Sequence, residues 1–243
     1  MSSDAPPRGG LRRRPPAARR DAVRNYQRIL AAAREVLGEY GADASVEEIA
    51  ARAGVGVGTV YRRFAGKDAL IDELMQLALE EILAASDRAL ARTDGHGLEE
   101  LLRALGQSFA DHARYASLLL QRPTDAATAR QMRAAIDELT ARAAASGTVN
   151  PGITVGDIMA LIWAMRGLVQ GVGEVAPDAW QRFLDIQLAG MRAAGPLSSA
   201  APMSARQLSK LAPRRRHHES ADPSSVRHGG SGRVPGGGSC AGS

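Results

Sequence analysis

Within one short stretch the chain gathers Thr59, Tyr61, Arg62, Arg63 and Lys67, two hydroxyls and three cations. Such a set suits the two tasks of duplex binding: offsetting phosphate charge and hydrogen-bonding to base edges. The residues around it supply a suitable backbone. Ser45 and Glu48 read as a capping box at a helix start, and Ile49, Ala50 and Ala53 then repeat at helical spacing on one apolar face. Gly54 stands where that helix must stop and turn. After Val55 and Gly56 the period resumes through Val57, Val60, Tyr61 and Phe64. Two helices joined by a short glycine-containing turn make a helix-turn-helix, whose second helix enters the major groove. Val55, Val60 and Phe64 belong to its small core, and Ser45 heads the first helix, where N–H groups and dipole favour a phosphate.

Other chemistries lack their residues. His96, His112, His217, His218 and His228 occur without a Ser or Cys elbow, an H-E-x-x-H pair or a paired-carboxylate signature. The run Gly54-Val55-Gly56-Val57-Gly58 evokes a phosphate loop, but it lacks the preceding strand and the Walker spacing. Neither an enzyme nor a cofactor is expected. Cys240 is the one cysteine, and the tract Arg214-Arg215-Arg216-His217-His218 offers two adjacent histidines without a third ligand. No metal site is expected either.

The motif also resembles a known family. Ala53-Gly54-Val55, Gly58-Thr59-Val60-Tyr61, Phe64, Lys67, Asp68 and Leu70 are similar to the DNA-binding signature of the tetracycline-repressor (TetR) family. Gly56 departs from it, standing where a small hydroxyl or polar residue is usual. Arg63 stands where an aromatic or histidine is commoner. The resemblance implies that Gly56, Val57, Gly58, Thr59, Tyr61, Arg62 and Arg63 face DNA. Among these, Thr59 and Arg62 have the chemistry to read bases, since arginine pairs bidentately with guanine and threonine meets thymine or phosphate. Gly58 allows close approach to the groove, while Tyr61, Lys67 and Ser45 are expected to hold phosphates. The family also implies a first helix that touches the DNA backbone; Arg24 and Arg28 are candidates there, or else ordinary surface charges. Its members imply a homodimeric repressor that leaves a palindromic double-stranded operator when a small-molecule effector binds. An activator or an effector-independent regulator fits the same motif.

The elements that position these residues read as all-α. Residues 1–20 form a basic Pro/Arg arm expected to be disordered, and either lie along DNA or merely add charge. Residues 21–68 hold a three-helix DNA-binding domain, opening with an amphipathic helix from Arg24 to Tyr40 whose stripe is Ile29, Leu30, Ala33, Val36, Leu37 and Tyr40. Residues 69–195 form a larger helical domain for effector binding and dimerisation, entered by a long helix from Lys67 to about Arg92. The pattern gives about nine helices in total. The last two of the body, Thr154–Gly173 and Asp178–Ala194, are apolar enough to serve as core or, as the resemblance implies, as a four-helix dimer interface. Leu105, Phe109, His112, Leu118, Met132, Met159, Trp163 and Arg166 are candidates to line an effector cavity, and each fits plain core or surface equally well. Residues 196–243 are rich in Ser, Gly and Pro and are expected to be disordered.

Composition agrees with this division. Apolar residues make up 44% and aromatics only 4%, so the core must be mainly aliphatic, which suits helices. The net charge of +5 is carried by the ends: 1–20 and 196–243 are each +5, while 21–195 sets 18 basic against 23 acidic residues. Bulk basicity is therefore no argument for DNA binding, which rests on the motif. No apolar run resembles a membrane span or a secretory signal, and a cytoplasmic protein is expected.

Overall fold

The computed structural model describes residues 16–120 and 124–210. Among them are ten α-helices and two 3₁₀ turns, with no strand. α1 (Pro16–Tyr40) begins ahead of the expected Arg24, and so takes in residues that composition alone assigns to the arm. Pro16 occupies the first helical position, where its missing N–H costs nothing, and alanine and arginine follow it. The rest of the arm, 1–15, lies outside the described residues. Ile29, Leu30, Ala33, Val36 and Leu37 are buried, whereas Tyr40 is 48% exposed because it lies at the helix end, past the packed stripe.

α2 (Val46–Ala53) starts at the capping box: Glu48 N–H donates to Ser45 Oγ at 3.2 Å, and Ser45 N–H to Glu48 Oε2 at 2.9 Å. It ends at Gly54, whose φ of 61° is left-handed. Val55 N–H reaches Ala50 O at 3.1 Å and Gly54 N–H reaches Ala51 O at 3.0 Å, a Schellman closure that uses the last carbonyls of the helix. α3 (Val57–Arg63) follows at once, with Val60 buried inside it and Phe64 buried at its end.

α4 (Lys67–Ala91) has 25 residues, about 37 Å at 1.5 Å per residue. Its length lets it serve two hydrophobic cores. The first joins α1, α2 and α3 to Leu70, Ile71 and Leu74 of α4, and then to Tyr115, Leu118 and Leu119 from much later in the chain. The second joins Ala89 to α5 (Gly97–His112), α7 (Ala126–Ala145), α8 (Val155–Val172) and α9 (Ala179–Met191). The short α6 (Ala116–Leu120) therefore belongs with the DNA-binding core, although it lies far beyond residue 68. Within the second core the Trp180 ring lies where a β-carbon on Gly106 would stand, 2.3 Å from that position. Only glycine lets the tryptophan seat there.

A tenth helix occupies the segment expected to be disordered. Ser204 and Gln207 cap each other, at 2.9 Å from Ser204 N–H to Gln207 Oε1 and 3.3 Å from Gln207 N–H to Ser204 Oγ. α10 (Ala205–Lys210) follows and buries Leu208. Met203 O lies 2.6 Å from where a β-carbon on Gly156 would stand, so the segment leading into α10 rests on the start of α8. Residues 196–210 are thus held by a cap and one apolar anchor that low-complexity composition conceals. Residues 211–243, with the Arg214–His218 tract and Cys240, lie outside the described residues.

By length and composition alone α8 matches a membrane-crossing helix, 18 residues at a mean hydropathy of 1.3, a test that the core helix of a helical body also meets. Only 33% of it is buried, although Ile158, Leu161, Ile162, Met165 and Val169 all enter the second core.

Candidate nucleic-acid interface and effector cavity

None of the proposed DNA-facing residues is buried. Gly56, Val57, Gly58, Tyr61, Arg62 and Arg63 are exposed, and Thr59, Ser45 and Lys67 are half-buried beside them. Tyr61 is 50% exposed, a large ring left in water by the small core beneath it. A β-carbon on Gly58 would meet nothing within 4 Å, so the outer face of α3 is open. Arg62 Nη2 donates to Thr59 Oγ1 at 3.0 Å, which holds the guanidinium along the helix.

Cations around the motif brace it. Arg52 reaches from α2 to α1, meeting Glu39 through both terminal nitrogens at 3.0 and 2.9 Å and Glu35 at 3.0 Å. The Arg52 guanidinium in turn holds the Glu39 carboxyl below its ordinary range. Arg28, one of the two phosphate candidates on α1, donates to Gly54 O at 3.2 Å and so closes the turn from above. Arg24, the other, pairs with Asp21 at 2.6 Å. Lys67 donates to Ala42 O, which ties the start of α4 to the loop before α2. Two ammonium protons of Lys67 remain beyond that bond. At Ser45, Glu48 engages both the amide and the hydroxyl and sits over the helix start; that hydroxyl lowers the Glu48 pKa.

Arg63 does something its position on α3 does not suggest. Its guanidinium lies 4.9 Å over the Tyr26 ring, which stacks on Phe64 at 6.1 Å between centroids. The Tyr26 hydroxyl donates to Glu73 on α4, and that bond raises the Tyr26 pKa above its ordinary value. The recognition helix is thereby linked through Tyr26 to the long helix. Tyr26 precedes Ile29 by one helical step, so the period of α1 marks it as inward-facing.

A cavity of about 200 Å³ lies where the two cores meet. Met75, Ala78, Leu79 and Ile82 of α4 form one wall, Phe109, His112, Ala116 and Leu119 a second, and Arg166, Val169 and Gln170 of α8 a third. Of the candidates named from sequence, Phe109, His112 and Arg166 line it. The other five do not. Leu105 is buried in the second core, and Met132 and Met159 pack on its edge. Leu118 turns into the DNA-binding core with α6. Trp163 is half-buried on α8, a helical step away from the cavity face formed by Arg166, Val169 and Gln170. The α4 wall escapes sequence reasoning because its residues have the same helical spacing as ordinary core.

His112 is buried, with Nδ1 at 2.6 Å from Ser108 O. A carbonyl only accepts, so Nδ1 carries a proton. Arg166 is half-buried on α8, and burial lowers its pKa from the ordinary guanidinium value.

Two family models match the chain. Residues 29–74 match bacterial regulatory proteins of the tetR family, and residues 95–193 match the C-terminal domain of SbtR-like transcriptional regulators. No curated protein matches significantly. Among solved structures, the TetR transcriptional regulator SCO0520 from Streptomyces coelicolor is 26% identical, with a TM-score of 0.53 over 70% of this chain and 99% of that one. The ketosteroid transcriptional regulator KstR2 of Mycobacterium tuberculosis shares the fold at 21% identity, with a TM-score of 0.55 over 70% of this chain and 96% of that one. PfmR from Thermus thermophilus, a TetR-family transcriptional regulator, does so at 19% identity, with a TM-score of 0.51 over 67% and 97%. These proteins are transcriptional regulators rather than enzymes. With a helix-turn-helix presenting one open, cationic face and with both halves of its body matched, the chain belongs to the TetR family of bacterial transcriptional regulators.

Proposed function

We propose that the protein is a cytoplasmic homodimeric repressor that holds a palindromic operator and releases it when a small molecule enters the cavity. The observation that carries this reading is the position of the cavity. Met75 and Leu119 on its walls pack with the DNA-binding core, whereas Ile82, Phe109 and Val169 pack with the second core. A ligand there touches both units and the helix they share, so a tilt of α4 that suits the ligand moves the recognition helix. Half-sites lie one helical turn apart, about 34–36 Å, or a multiple of it, so a modest change in the separation of the two recognition helices prevents simultaneous docking.

The dimer reading is supported by the outer faces of α8 and α9. Ala160, Ala164, Gly167 and Gly171 are exposed along one stripe of α8, and a β-carbon on Gly167 or Gly171 would meet nothing within 4 Å. Ile186 on α9 is 55% exposed and Val172 on α8 is 39% exposed. An apolar helix with a small-residue outer stripe suits close packing against its symmetry mate, and two-fold association is the commonest oligomeric solution. The two-fold would then be mirrored in the operator. A gel shift of the protein on its own upstream DNA, with and without candidate small molecules, tests the reading. The expected result is a discrete complex containing two chains, dissolved by one class of compound. A single-chain complex indifferent to every compound would contradict it.

A further inference from the structure

Arg166 differs from the paired arginines of the body. Arg52, Arg92, Arg103, Arg142 and Arg192 each meet a carboxylate within 3.2 Å. Arg166 is more deeply placed than these and lines the cavity, and no carboxylate among the described residues is paired with it. Holding a guanidinium partly out of water without a counter-charge is unfavourable, and an anion from outside the chain relieves that cost. His112, the other ionisable side chain of the lining, is turned by its Nδ1 bond to Ser108 O.

Apart from Ser108 and Gln170 the remaining walls are apolar, with Met75, Leu79, Ile82, Phe109, Leu119 and Val169 the largest. Leu119, Val169 and His112 are buried, Arg166 is half-buried like Met75, Leu79, Ile82 and Phe109, and Gln170 beside it is exposed, so the guanidinium stands next to both apolar wall and an open edge. The volume, about 200 Å³, is somewhat larger than an apolar cavity of about 150 Å³ that holds benzene. One aromatic ring with a short substituent, or an alkyl chain of similar bulk, fills it.

We propose that the cavity takes a small organic monoanion, a carboxylate whose ring or chain lies among the apolar walls and whose charged end pairs with Arg166. This rests on the reading of the cavity as the effector site and adds the chemical class of the ligand. Fork-shaped pairing between guanidinium and carboxylate supplies direction as well as charge.

The test is calorimetric titration of the full chain with benzoate, phenylacetate, hexanoate and octanoate, each beside its primary amide and the corresponding amine. At least one carboxylate should bind about tenfold or more tighter than its amide, with the amine weakest. Arg166→Gln should bring the carboxylate down to the level of its amide while amide binding stays, and Arg166→Lys should restore part of the preference. Equal or better binding of the amides overturns the anion assignment and leaves an effector cavity standing. A preference that survives in Arg166→Gln, or no carboxylate binding at all, overturns it too. Arg166-dependent carboxylate binding with no effect in the gel shift upholds the inference and removes the regulatory reading instead.

Discussion

Arg62 and Lys67 are both cations of the DNA-binding surface, yet the proposed roles differ in kind. Arg62 extends along the exposed face of α3 with Thr59 as its brace, a geometry for reaching a base edge. Lys67 sits at the foot of α4 with one proton on Ala42 O and two to offer a phosphate. Arg62→Ala should therefore cost about 1–3 kcal/mol on the operator and relax preference at one base position. Lys67→Ala should weaken binding to all sequences alike and shallow the salt dependence by about one unit. Anisotropy titrations over a salt series, on operator and scrambled duplexes, separate the two. An equal, sequence-independent loss from both substitutions would remove Arg62 from base reading. At this scale the sequence was most legible where a residue's neighbours are local, as in the Ser45–Glu48 box and the Gly54 turn. It was least legible where a side chain reaches across the fold. The sequence does not show that the Arg63 guanidinium also lies over Tyr26, or that Arg28, a candidate for phosphate contact or for an ordinary surface charge, also donates to Gly54 O.

Among the helices, the α2–α3 pair depends on one backbone conformation. Gly54 is left-handed, and a β-carbon there would stand 2.5 Å from the Arg28 guanidinium that caps the turn. Gly54→Ala should destabilise the protein by about 1–3 kcal/mol through φ alone, lower the thermal midpoint and weaken DNA binding, because the angle between α2 and α3 is set there. An unchanged midpoint would show that the turn relaxes freely. Helix positions were readable from the sequence throughout the body, since apolar period, capping boxes and glycine stops recur from α1 to α9. Two features were not. Partnerships between helices distant in the chain, such as α6 joining the first core, leave no mark on local period. α10 did leave one, the Ser204–Gln207 capping spacing, but a Ser- and Pro-rich background obscures it.

Across the molecule as a whole, the proposed dimer interface, the cavity between two cores and the pair of recognition helices act together. The interface has its own test. Gly167 is exposed with open space around it, so Gly167→Arg should leave the single chain folded and convert a sedimenting dimer to a monomer. Operator affinity should fall with it, as one chain then holds one half-site. A dimer that persists in this variant would place the interface elsewhere. The family and its all-helical frame were legible from the DNA-binding motif, whereas the cavity was not, because a wall residue and a core residue share the same spacing until the helices are packed. The central claim is that the cavity and the DNA surface are energetically coupled, and coupling is reciprocal. Its most direct test is calorimetry of the tightest-binding carboxylate against free protein and against the protein saturated with its upstream DNA. The account predicts weaker binding to the complex by a factor of about 5–150; equal affinities in the two titrations would contradict it.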